Sequence, residues 1–141
     1  MVKQYRVTWR IRLINSLTSL MAYLGVGGPM AVLSTTGRRS GRKRTTTVTP
    51  IEVGGVEYLV APYGEVAWVK NVRAKPQVRL RRGRSVRDVA LTPAGGREAA
   101  AAVLAYYERE AFARRYMDGP DNPTLEDFLE TGERFPVFKV G

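Results

Sequence analysis

The densest concentration of chemistry-bearing residues lies at 35–44. There Thr35 and Thr36 lead into Gly37-Arg38-Arg39-Ser40-Gly41-Arg42-Lys43-Arg44, with five cations in the last seven positions. Glycines let backbone N–H groups approach a ligand closely, and cations held together repel one another unless something negative sits among them. The stretch therefore reads as an anion cradle. It is not a P-loop, because Gly37 and Gly41 have the wrong spacing and no Gly-Lys-Ser/Thr follows. Arginine forms planar, bidentate contacts with phosphate and carboxylate, and 18 of the 23 basic residues are Arg.

Other chemistries find little support. The 141 residues include no Cys and no His, so thiolate nucleophiles, imidazole bases and their metal sites are not expected. Most of the 13 acidic residues lie near the C-terminal end, interleaved with Arg and Lys, and read as solvated faces rather than paired catalytic carboxylates. Gly25-Val26-Gly27-Gly28 follows a helical pattern and runs into Pro29, which marks a helix stop rather than a dinucleotide fingerprint. Arg82-Gly83-Arg84 fits a hairpin turn. Tyr106, Tyr107, Phe112 and Tyr116 fall on one helical stretch and read first as core; a tyrosine hydroxyl at a pocket can also donate a proton. With strong anion binding and few acids, bases or nucleophiles, an enzyme of this composition needs a cofactor to carry its reaction.

These residues need a scaffold, and the length and the 44% hydrophobic content suit one ordinary domain. The net charge of +10 is uneven: residues 1–87 carry 17 basic and 3 acidic side chains, the remainder 6 and 10. Trp9, Leu13, Leu17, Leu20 and Leu24 recur at helical steps, predicting an amphipathic N-terminal helix over 1–29 ahead of a domain at 30–141. Its apolar run is too short and broken to span a bilayer, and no A-x-A-like cleavage site follows. The expected location is cytoplasmic, with that helix as a candidate contact to the cytoplasmic face of a membrane.

Six strands are predicted, at 30–35, 45–53, 56–61, 77–82, 85–91 and 135–140. Gly54-Gly55 and Gly83 turn two hairpins. In the second hairpin Val78 and Leu80 alternate with charged residues, and Val86, Asp88 and Ala90 continue the pattern imperfectly. Helices are expected at 66–74, stopped by Pro76, and from the Thr92-Pro93 cap to about Met117, with a short turn at 125–129. The result is an α+β fold: a small barrel of mainly antiparallel strands with helices around it.

Two stretches also carry a resemblance. Leu33-Ser34-Thr35-Thr36-Gly37-Arg38-Arg39-Ser40-Gly41, followed by Arg44-Thr45-Thr46, and Trp68-Val69-Lys70-Asn71-Val72-Arg73-Ala74-Lys75-Pro76 resemble the signatures of the deazaflavin-dependent nitroreductase and quinone reductase family. The resemblance implies a split β-barrel binding coenzyme F420, whose phosphate and oligoglutamate tail would be held by Arg38, Arg39, Ser40, Gly41, Arg42, Lys43 and Arg44. It implies that Thr47, the turn Ala61, Pro62, Tyr63 and Gly64, and the helix start with Ala67, Trp68, Lys70 and Asn71 line the rest of the cofactor. The family commonly has Pro where this chain has Thr47, and a longer Gly-Gly and Lys-containing stretch where it has Tyr63-Gly64-Glu65-Val66. The implied activity is hydride transfer from reduced F420 to a quinone, nitroaromatic or activated alkene, with Tyr116 the candidate proton donor and no metal. FMN or FAD in the same fold, and a non-catalytic basic module for nucleic acid or anionic membrane, are the alternatives. Few aromatics interleave with the arginines, so specific nucleic-acid binding is not expected. A homodimer is a further expectation.

Overall fold

A computed structural model describes residues 30–110, 123–131 and 134–141. The predicted N-terminal helix and its membrane contact, Phe112 and Tyr116 lie outside these residues. The chain divides into two compact units.

The strand unit holds the described residues of Arg6–Pro50 with Ala67–Leu91. Strand β1 (Ala31–Thr36) pairs antiparallel with β2 (Lys43–Val48) on one side and with β5 (Gln77–Arg82) on the other. β5 pairs in turn with β6, which starts at Ser85. Helix α1 (Ala67–Ala74) lies beside β1 and β2 and buries Val69, Asn71 and Val72. It ends at Lys75, whose N–H donates to the Asn71 carbonyl, because Pro76 cannot continue the ladder.

Phase in the second hairpin departs from the expectation. The turn Gly83-Arg84, with Gly83 at φ +58°, puts Arg82 opposite Ser85, so Leu80 faces Arg87 and Val78 faces Val89. Val86, Asp88 and Ala90 thus share the opposite face from Val78 and Leu80, and Val86 is the one large apolar side chain exposed among the described residues. A two-residue turn fixes register, and a one-residue difference in register moves every side chain to the other face.

The helix unit holds Ile51–Val66 with the described residues of Thr92–Val140. The Gly54-Gly55 turn, with φ +58° and +80°, joins β3 (Ile51–Val53) to β4 (Val56–Val60), and β4 also pairs antiparallel with β7 (Val137–Val140). Among the described residues there are seven strands rather than six, because the segment expected at 45–53 breaks at Thr49-Pro50. Pro50 has no N–H for a ladder and ends β2 before β3 begins.

β6 extends to Ala94, so Thr92-Pro93 is the end of a strand and not a helix cap. Proline tolerates an extended strand end, and it disfavours helical backbone at the preceding residue. The change of direction falls at Gly95, extended at φ −145°, and Gly96 at φ +60°, where α2 (Gly96–Arg109) begins. Helix α2 packs Ala99, Ala102, Val103, Tyr106 and Tyr107 into a core with Ile51, Tyr58, Val60, Phe128, Phe135 and Val137. Helix α3 (Leu125–Thr131) opens with a reciprocal cap: Thr124 N donates to Asp127 Oδ2 at 2.8 Å, and Asp127 N donates to Thr124 Oγ1 at 3.4 Å. No helix among the described residues is long and apolar enough to cross a membrane.

Two tyrosines tie this core to pH. The Tyr58 hydroxyl donates to Glu98 Oε2 at 2.6 Å, and that bond, with burial and the carboxylate charge, raises its pKa. Burial, then the charges of Glu110 and Tyr63, raise Tyr106 further. Above about pH 10 the unfolded chain releases a proton that native Tyr106 keeps, so stability falls as pH rises. The urea midpoint is expected to drop between pH 9 and pH 11, and more shallowly in Tyr106→Phe. An equally steep drop in that variant would remove Tyr106 from the effect.

Candidate cofactor-binding site

Thr36 pairs with Lys43, so residues 37–42 form a six-residue connection between β1 and β2, and Lys43 and Arg44 open β2 beside it. It is closed by its own backbone. Gly37 N donates to Arg42 O at 2.7 Å, Gly41 N donates to Gly37 O at 2.9 Å, and Arg42 N donates to Ser40 Oγ at 3.1 Å. Gly41 sits at φ +70°, a conformation that favours glycine. A Cβ on Gly37 would meet Ser40 Oγ at 2.7 Å and the Arg42 carbonyl at 3.1 Å, so a larger residue would displace the Ser40 hydroxyl and crowd that carbonyl.

Arg38, Arg39, Ser40, Gly41, Arg42, Lys43 and Arg44 are all exposed. The chain contains no Asp or Glu before Glu52, and among the described residues none of the five loop cations forms an ion pair. At about 7 Å in water each pair of like charges costs only about 0.6 kcal/mol. That cost is modest, and a multivalent anion would reverse its sign.

One loop residue is tied to the interior. Asn71 on α1 is 4% exposed, and its Oδ1 accepts from both Arg38 N at 3.2 Å and Arg38 Nη1 at 3.1 Å. Its Nδ2 donates to Thr35 Oγ1 at 3.3 Å, and Thr35 is buried too. The structure thus brings Arg38 and Asn71 together across 33 positions. Thr35 opens the cation-rich stretch in the sequence, but no site role is expected of it there. Its signal was available: Ala31, Leu33 and Thr35 share one strand face, so a hydroxyl falls where the pattern calls for an apolar side chain.

The other candidates fall into two groups. Thr47, opposite Val32, is half-buried on β2, while on α1 Trp68 is half-buried and Ala67 and Lys70 are exposed. The first turn of α1 contains no acidic residue, although Glu65 precedes it by two positions. In the helix unit, Ala61 is buried and its N–H donates to Pro136 O at 2.8 Å, while Pro62, Tyr63 and Gly64 are half-buried. Gly64, at φ +83°, donates to Ala61 O at 3.3 Å and accepts from Val66 N at 2.8 Å, which closes a tight turn. No cluster of three or more metal-ligating side chains occurs among the described residues.

An antiparallel α+β scaffold carries a glycine-closed loop of exposed cations, an arrangement whose chemistry suits a polyanionic ligand. The chain belongs to the F420H2-dependent quinone reductase family, whose model matches residues 7–118. Among solved structures, an F420-H2 dependent reductase, FDR-A, is 25% identical with a TM-score of 0.59, over 81% of this chain and 95% of that one. A structure described as a domain-swapped dimer is 23% identical with a TM-score of 0.60, over 94% and 97%. A heme binding protein from Mycobacterium smegmatis shares the fold at 17% identity and a TM-score of 0.57, over 87% of this chain and 50% of that one. No curated protein sequence matches. The fold is the split barrel of these reductases, and the family's cofactor is coenzyme F420. The donor set fits such a group, since exposed guanidinium groups around a glycine-closed loop suit a phosphate and a chain of carboxylates.

Proposed function

We propose that this chain is a reductase that binds reduced F420 through the β1–β2 loop and passes its reducing equivalents to a quinone. The observation that carries this reading is the loop itself, closed by Gly37 and Gly41 and anchored through Arg38 to buried Asn71. Arg38, Arg39, Arg42, Lys43 and Arg44 hold the phosphate and oligoglutamate tail, with Ser40 and Gly41 shaping the turn. Thr47, Ala67, Trp68 and Lys70, from the same unit, face the remainder of the cofactor. When bound, reduced F420 supplies a hydride, and nitroaromatics and activated alkenes are acceptors of the same electronic type as quinones. The chain's own part is to bind, orient and keep water out. The domain-swapped relative supports a dimer as the working assembly.

The test begins by equilibrating the protein with F420, FMN and FAD, desalting it and recording its absorbance. Retained F420 is the expected result, and retained FMN or FAD in its place would overturn the cofactor assignment. Mixed with reduced F420 and menadione, the protein is expected to oxidise the cofactor at a rate proportional to protein concentration. Absence of both binding and oxidation would overturn the reading.

A further inference from the structure

We infer that Thr35 and Asn71 form a positioning pair, which sets the direction of the Arg38 guanidinium and the entry of the loop before any cofactor arrives. The inference rests on the proposal that this loop holds the anionic part of F420. Asn71 is poorly placed to be a ligand. Its Oδ1 already accepts two N–H groups from Arg38, one Nδ2 hydrogen is spent on Thr35 Oγ1, and the residue is 4% exposed.

The orientation of the carboxamide follows from its neighbours. Turned over, it would set its NH2 group against the two Arg38 donors, while the present orientation gives every group a partner. Thr35 completes the arrangement by accepting from Nδ2 within the interior, where an unpaired amide is costly. Asparagine is also a mediocre helix former, so its place on the buried face of α1 beside Val69 and Val72 answers to the loop and not to the helix. With its backbone N–H and Nη1 engaged, exposed Arg38 keeps Nε and Nη2 for a ligand, on a guanidinium that Asn71 already holds. That preorganisation lowers the ordering cost of binding.

The test is a double-mutant cycle read through the affinity for oxidised F420, with Arg38→Ala as the second background. In the wild-type background, Thr35→Val is expected to weaken binding about three- to tenfold and Thr35→Ser to restore it. Asn71→Asp, which sets a carboxylate beside the guanidinium, is expected to weaken binding about tenfold and to flatten its salt dependence. In the Arg38→Ala background both effects should shrink to the part carried by the Arg38 backbone N–H, which that substitution keeps. Equal losses in the two backgrounds would overturn the inference, because the pair would then act on the fold or on the cofactor directly.

A second arm needs no cofactor. Hydrogen exchange at the Arg38 amide of the free protein should speed up in Thr35→Val and return to its original rate in Thr35→Ser. Unchanged exchange would also overturn the inference. Slow exchange in a wild-type protein that fails to bind F420 would instead fault the cofactor reading and leave the positioning pair standing.

Discussion

The Arg38→Ala/Arg39→Ala double variant is expected to bind oxidised F420 about thirty- to a hundredfold more weakly than the wild type at low ionic strength. A charge-assisted contact contributes about 1.5–3 kcal/mol when well made, and exposure to solvent reduces that to about 1–1.5 kcal/mol each. Both side chains are exposed, so screening matters, and the gap should narrow as salt rises from about 0.05 to 0.5 M. Arg38→Lys/Arg39→Lys should recover only part of the affinity, since lysine keeps the charge and loses the planar fork. Arg38→Ala removes the Nη1 bond to buried Asn71, but its Oδ1 keeps the Arg38 backbone N–H, so the urea midpoint should fall only slightly. Fluorescence titration with F420 at two salt concentrations measures all of this. Unchanged affinity in the alanine double variant would remove the loop from the cofactor site.

The largest stability effect is expected at Phe128. It is 2% exposed, and its ring centroid lies 5.5 Å from that of Tyr107 with the planes tilted by 57°. Phe128→Ala should cost about 3–5 kcal/mol, because the lost transfer free energy is compounded by a cavity that surrounding side chains fill only partly. Domains of this size are stable by about 5–15 kcal/mol, so the variant stands near the edge of folding. Phe128→Leu keeps most of the volume and should cost far less. Urea unfolding reads both, and a loss under about 1 kcal/mol in Phe128→Ala would show that α3 contributes little to this core. Saturating F420 should raise the midpoint of the weakened variant, since ligand binds only folded protein.

Much of the molecule is legible in local sequence because it depends on local physics. Gly54-Gly55 and Gly83 mark their hairpins through the positive φ those turns require. Pro76 ends α1, and the expectation of an anion cradle at 38–44 needs only the five cations and the glycines beside them, with no knowledge of their neighbours. Two motif stretches, at 33–46 and 68–76, were enough to identify the family that the match over residues 7–118 shows.

Other features were decided at longer range. Pro50 splits one apparent strand into β2 and β3, because the two pieces pair with different neighbours, β1 and β4. The phase of β6 follows from the register set at Arg82 and Ser85, which hydrophobic alternation in a charged strand cannot specify. Thr92-Pro93 looks like a helix cap in isolation, yet the strand runs on to Ala94 before the glycine pair releases the chain into α2.

For the candidate site, sequence alone determined the residue types on offer: a cluster of cations, glycines to close a loop beside them, and neither imidazole nor thiol. Tertiary structure alone decided which cation is held and how. Arg38 is singled out from its four neighbours by a carboxamide 33 positions away, oriented in turn by the Thr35 hydroxyl. No local pattern encodes that choice, because hydrogen bonds between buried groups depend on which strand and helix are packed side by side.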